Sequence, residues 1–131
     1  MMTPFDDPQA ELAWMFLQSL CRGGDLEEGF ALLSDDFTYW SIVTRTTLDK
    51  DAMRRANERR MQVFEVSNID LLRCVNEGET VVIEGQTEGV NADGTKYESP
   101  FVCIFDTHDG MITALREYSD TQSFARMFAE S

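Results

Sequence analysis

Apolar residues recur first at helical spacing. The run 10–21 is apolar enough to be largely buried, and Asp7-Pro8 ahead of it reads as an N-cap with proline at the first helical position. Gly23-Gly24 ends that segment. Asp25 and Glu28 then have the spacing of a capping box and open a short second helix carrying Phe30, Leu32 and Leu33. At 35–43 the pattern changes to aromatic and β-branched residues, Phe37-Thr38-Tyr39-Trp40-Ser41-Ile42-Val43, which predicts a strand. A third helix is predicted over 47–61, with Leu48, Ala52, Met53, Ala56 and Met61 as its apolar positions. Strands follow over 62–75, 80–90, 97–107 and 111–118, separated by the turn-forming stretches Asn76-Glu77-Gly78-Glu79, Asn91-Ala92-Asp93-Gly94 and His108-Asp109-Gly110. Successive hairpins predict an antiparallel meander. The tail 121–130, with Phe124, Met127 and Phe128 at helical spacing, is expected to close as a short helix.

Helices first and an antiparallel meander afterwards make an α+β domain. Val81-Val82-Ile83 and Phe101-Val102-Cys103-Ile104-Phe105 are apolar at both odd and even positions, whereas a solvated sheet face alternates with polar residues. Those strands are therefore expected to be covered on both sides. The helices can cover one side only, so the pattern predicts a homodimer.

The chain of 131 residues fits one domain, 1–131, with room for one hydrophobic core. Its 24 acidic and 11 basic residues leave a formal charge of −13, which repels phosphate backbones and anionic lipid surfaces and argues against a nucleic-acid partner. The longest unbroken apolar stretch, 101–105, is far short of the roughly 20 residues of a membrane helix. The acids of Met1-Met2-Thr3-Pro4-Phe5-Asp6-Asp7 stand where a signal peptide carries bases, so a cytoplasmic protein is expected. Cys21, Cys74 and Cys103 are an odd number at wide spacing beside apolar runs and read as buried free thiols. With one histidine and no Cys-x-x-Cys or His-x-x-x-His pair, no metal site is predicted. Gly78, Gly85, Gly89 and Gly94 match neither a dinucleotide fingerprint nor a phosphate loop, so no cofactor is predicted either. His108 falls in a turn and has no nucleophile arranged beside it in the sequence.

Two stretches carry a family resemblance: Leu33-Ser34-Asp35-Asp36-Phe37-Thr38-Tyr39, and Asp109-Gly110-Met111-Ile112-Thr113-Ala114-Leu115-Arg116-Glu117-Tyr118-Ser119-Asp120. With the order of elements, they resemble SnoaL-like proteins of the nuclear transport factor two-like superfamily, also known for its ketosteroid isomerase-like, cystatin-like fold. The resemblance implies helices packed on a strongly curved antiparallel sheet, forming a cone with an interior pocket for a small hydrophobic molecule. That superfamily holds isomerases, polyketide cyclases, dehydratases, epoxide hydrolases and non-catalytic proteins, so the resemblance implies a pocket and not a reaction. Against the limonene-epoxide hydrolase pattern, Tyr39 matches the first-strand tyrosine and Glu117 the last-strand acid, while Ser41 stands where that family has asparagine. The Arg-x-Asp pair of that family falls on Gly85 and Thr87 here. Loss of the pair argues against epoxide hydrolysis by that mechanism.

Strand parity puts Glu117 on one face with Leu115 and Ser119, opposite Arg116, Tyr118 and Asp120. If that face lines the pocket, Glu117 is a desolvated acid–base group; otherwise it is a carboxylate held by an arginine. Tyr39 is either a hydrogen-bond donor to a ligand oxygen or a core tyrosine with a satisfied hydroxyl. Trp40, of opposite parity, is expected to face the other way. Asp120 is a second catalytic candidate, because a strand end can twist and re-aim a side chain. Trp14, Phe37, Ser41, Thr87, Phe101 and Leu115 complete the expected ligand-binding set. Arg116 is expected to serve as a structural partner for interface acids. Arg54, Arg55, Arg59 and Arg60 read as a solvated helix face that offsets surrounding acids, with attraction of an anionic substrate as the alternative. Two functions fit: an acid–base enzyme acting on a hydrophobic ring-containing molecule, or a non-catalytic ligand-binding or assembly module.

Overall fold

The computed structural model describes residues 7–123 and 125. Helix α1 (Pro8–Ser19) starts where the sequence places its cap, with Asp7 accepting a hydrogen bond from the Ala10 amide at 2.9 Å. Asp25 caps α2 (Leu26–Phe30) through the amides of Glu27 and Glu28. Strand β1 (Leu33–Ser41) turns back into a short strand β2 (Thr46–Asp49), and Asp49 caps α3 (Lys50–Met61) by accepting from the Ala52 amide at 2.8 Å. Four long strands follow: β3 (Phe64–Glu77), β4 (Thr80–Asn91), β5 (Lys96–His108) and β6 (Met111–Ser119). Of the expected closing helix, residues 121–123 and 125 are helical and the remainder lies outside the described residues.

The six strands form one sheet in the order β2-β1-β6-β5-β4-β3. From β3 to β6 it is the expected antiparallel meander. Strand β1, however, runs parallel to β6, with Tyr39 opposite Leu115 and Ser41 opposite Glu117, so the sheet is mixed rather than wholly antiparallel. A parallel neighbour needs a long crossover, and the whole chain from β2 to β5 provides it. The third helix also begins later than expected. Thr46, Thr47 and Leu48 pair with Ser41, Trp40 and Tyr39, since β-branched residues beside a ready strand edge prefer the ladder to a helical first turn.

Register shifts in the β3–β4 pair, between Val66 and Asn68 and between Leu71 and Arg73, mark irregularities of the kind that bend a sheet. The helices fill the concave side. Phe16 of α1 lies 5.8 Å from the Phe30 ring and 6.4 Å from the Phe105 ring, centroid to centroid, forming the dense end of the core. On the convex side, Val82, Val102 and Ile104 alternate with buried neighbours and remain half-buried. Cys21 and Cys103 are buried, Cys74 is half-buried, and all three are free thiols. Among the described residues no helix is long and apolar enough to cross a membrane.

Candidate functional site

The concave face does not fill completely. Between α3, the start of β3 and the inward side chains of β1, β4, β5 and β6 lies a cavity of about 520 Å³, within the usual range for small-molecule sites of roughly 300–1,000 Å³. Period-two alternation decides which strand residues reach it. Leu115, Glu117 and Ser119 of β6 and Tyr39 and Ser41 of β1 point in, together with Thr87, Phe101 and Cys103. Trp40, Arg116 and Tyr118 point out: the Arg116 guanidinium lies 4.3 Å from the Trp40 ring centroid, and the Trp40 and Tyr118 rings are 5.3 Å apart.

Because β1 and β6 are neighbours in register, Tyr39 and Glu117 meet. The tyrosine hydroxyl donates to Glu117 Oε1 at 2.5 Å. Burial raises the Tyr39 pKa, and the adjacent Glu117 carboxylate raises it further; a hydrogen bond with Ser41 opposes both. Glu117 is pushed above the usual carboxylate range chiefly by desolvation, which outweighs the Tyr39 hydrogen bond and the attraction of Arg60, both of which pull it down. Glu117 keeps partial accessibility because its surface opens into the cavity. Among the described residues no hydrogen bond reaches its Oε2, and the side chain lines the cavity. The pair therefore presents one carboxyl oxygen anchored and one free.

Asn57, Arg59 and Arg60 complete the polar lining from α3. The Arg60 guanidinium donates to the Phe64 carbonyl at 3.3 Å and to Asn57 Oδ1 at 3.4 Å. Burial lowers its pKa, while the charge of Glu117 across the cavity holds it up.

Of the residues singled out in the sequence, Glu117, Tyr39, Ser41, Thr87, Phe101 and Leu115 are brought together around the cavity. Trp14 and Phe37 lie in the core away from its lining. Asp120 also lies outside it: its carboxylate accepts from the amides of Gln122 and Ser123 and from the Ser123 hydroxyl at 2.6 Å, the geometry of a helix cap. His108 is the exposed last residue of β5 rather than a turn residue, and it lies between Glu79 and Asp109. Of the four arginines expected on a solvated face, Arg59 and Arg60 line the cavity, Arg59 exposed and Arg60 half-buried. The one signal for this was the cluster of bases at 54–60 in an otherwise acidic chain. At Gly85, where the epoxide-hydrolase pattern has arginine, a Cβ would fall 2.8 Å from the Phe101 ring. The ring occupies the space a larger residue needs, and the cations of this cavity, Arg59 and Arg60, arrive from α3. Among the described residues no group of three or more His, Cys, Asp or Glu side chains is gathered to hold a metal.

The family described as SnoaL-like domain matches residues 15–115. No curated protein sequence matches the chain. Among solved structures, the fold is similar to an LEH-like epoxide hydrolase of M. tuberculosis, at 18% identity and a TM-score of 0.76 over 94% of this chain and 90% of that one. It is similar to a Catenulispora acidiphila protein with a ketosteroid isomerase-like fold in complex with trimethylamine, at 18% identity and TM-score 0.77 over 96% and 93% of the two chains. A Xanthomonas campestris protein described as a candidate polyketide cyclase is similar at 21% identity and TM-score 0.76, over 92% and 96%. At these identities the likeness is one of fold.

Proposed function

The chain belongs to the SnoaL-like domain family, and within it we propose an enzyme of acid–base chemistry, acting on a hydrophobic, ring-containing small molecule bound in the cavity. The observation that carries this reading is the Tyr39–Glu117 hydrogen bond at 2.5 Å inside an apolar enclosure, with burial holding the Glu117 pKa up. A carboxyl group so raised is better matched to proton transfer near neutral pH than an ordinary glutamate. Glu117 Oε2 takes a proton from a ligand carbon and returns it to another position, while Tyr39 fixes the carboxyl through Oε1. Tyr39 is thus a positioning residue for Glu117. Phe101 and Leu115 exclude water and strengthen the polar contacts. Proton transfer of this kind is common to isomerase and cyclase chemistry and requires no cofactor. Three free thiols fit a reducing compartment.

Solvent exchange tests the reading. In deuterium oxide, the wild-type protein should incorporate deuterium next to the carbonyl of cyclohex-3-en-1-one, followed by mass spectrometry. Glu117→Gln should remain folded and lose about 10²–10⁴-fold of that rate. Tyr39→Phe should cost less, about tenfold, since one hydrogen bond is deleted and the ring stays. Equal rates in wild type and Glu117→Gln would assign the cavity to binding alone.

We also propose that the protein is a homodimer through the convex face. The reading rests on half-buried Val82, Val102 and Ile104 beside the Trp40–Arg116–Tyr118 stack, an apolar surface of the kind that marks protein contacts. Sedimentation at micromolar concentration should find a species twice the 14.9 kDa chain. Ile104→Asp should shift it to monomer; a wild-type monomer at all concentrations overturns the proposal.

A further inference from the structure

The charge inside the cavity is opposite to the charge of the chain. The protein carries 24 acidic and 11 basic residues, yet the charged residues lining the cavity are Arg59, Arg60 and Glu117, two cations to one anion. Arg59 is exposed and sits toward solvent, whereas Arg60 is half-buried. Among the described residues no carboxylate forms an ion pair with Arg60. Its two protein partners are neutral acceptors at 3.3 and 3.4 Å. A guanidinium has five N–H donors in a planar fork, so most of that capacity is open. Withdrawing such a group from water without an ionic partner is unfavourable, and a bound anion relieves the cost.

We infer that the natural ligand is a hydrophobic carboxylic acid whose carboxylate is held by Arg60 while its apolar body lies toward the Tyr39–Glu117 pair. This rests on the reading of the cavity as the ligand site and adds the chemical class of the ligand. A permanent cation in the free protein favours a ligand that is already an anion over a neutral one that develops charge only during reaction. One half-buried guanidinium matches one negative charge. A dianionic phosphate would leave an excess charge facing Glu117, so a monocarboxylate fits better. Bidentate pairing with the guanidinium fork also fixes the ligand's orientation, setting which carbon faces Glu117 Oε2. Asn57 steadies the guanidinium from one turn earlier on α3.

A matched pair of probes tests this by isothermal titration: 2-naphthoate and its neutral isostere 2-naphthamide, at neutral pH and low salt. The wild-type protein should bind the carboxylate about 10- to 100-fold more tightly than the amide, the range expected for a charge-assisted pair. Arg60→Gln should abolish that preference and leave amide affinity within about threefold, while Arg60→Lys should restore part of it through charge without the fork. Equal affinities for the two probes in the wild type, or a preference that survives Arg60→Gln, overturns the inference. If the amide binds and no preference exists, the cavity stands as a ligand site and only the assignment of Arg60 fails. If neither probe binds at millimolar concentration, both fail. The wild-type comparison decides even if the Gln variant does not fold.

Discussion

The two faces of the sheet take similar side chains to opposite ends. On the concave face Tyr39 meets Glu117, and on the convex face Trp40 and Tyr118 meet Arg116, so consecutive residues of the same two strands build both clusters. Glu65 sharpens the contrast. It is exposed and paired with Arg22, whose hydrogen bond holds its carboxyl below the usual range. Glu117 also accepts a short hydrogen bond, from Tyr39, yet its carboxyl is held above that range, because burial outweighs the bond. What surrounds an acid decides its chemistry more than the partner it touches.

The widest separation between the faces should appear in the exchange assay. Glu117→Gln is expected to lose about 10²–10⁴-fold in rate, whereas Arg116→Gln, on the adjacent residue, should stay within about twofold of wild type when measured on protein of matched oligomeric state. An equal loss in both would erase the distinction between the faces.

Next in size is a packing test of the concave face. A Cβ at Gly89 would fall 2.1 Å from Phe64 Cζ and 2.7 Å from the Glu65 carbonyl oxygen. Phe64 is 5% exposed and cannot easily give way. Gly89→Ala should therefore destabilise the fold by about 1–3 kcal/mol in urea titration. A stability equal to wild type would mean that the ring over Gly89 is not held there.

Smaller, and specific to Glu117, is a dependence on pH. A carboxyl whose folded pKa lies above its unfolded value adds stability that is fully present below the ordinary carboxylate range and disappears as pH rises through the raised value. Glutamine does not titrate. Glu117→Gln should thus gain stability relative to wild type as pH rises from 4 to 8, by about 1.4 kcal/mol for each unit of pKa elevation. A difference that stays flat across that range would show that Glu117 is not desolvated. The smallest effect is expected from Glu65→Gln, whose midpoint should match wild type within error, because exposed ion pairs contribute little.

Local chemistry made much of the fold legible. Asp7-Pro8 and Asp25 act as helix starts, and the turns holding Gly78 and Gly110, both at positive φ, separate the long strands as read. Parity also placed Glu117 with Leu115 and apart from Arg116, since alternation along a strand is a backbone property. Less was legible where two elements compete. Thr47 to Asp49 joined the edge of β1 instead of starting α3, an outcome that depends on an available strand edge and not on propensity. Asp120 became a cap for the residues after it rather than a cavity acid.

By itself, the sequence determined the starts of the first two helices, the hairpins and which residues of each strand share a face, because these follow from interactions a few residues apart. Tertiary structure alone decided that β1 lies parallel to β6, which brings Tyr39 to Glu117 across 78 positions. It also decided that α3 turns Arg60 toward the cavity and not to solvent. A hydrophobic pattern reports that a side chain will be covered, not what will cover it, and a cluster of arginines on a charged helix does not say which of them turns inward. The electrostatic meaning of Arg60 exists only once burial lowers the local polarity and sets Glu117 across the same cavity.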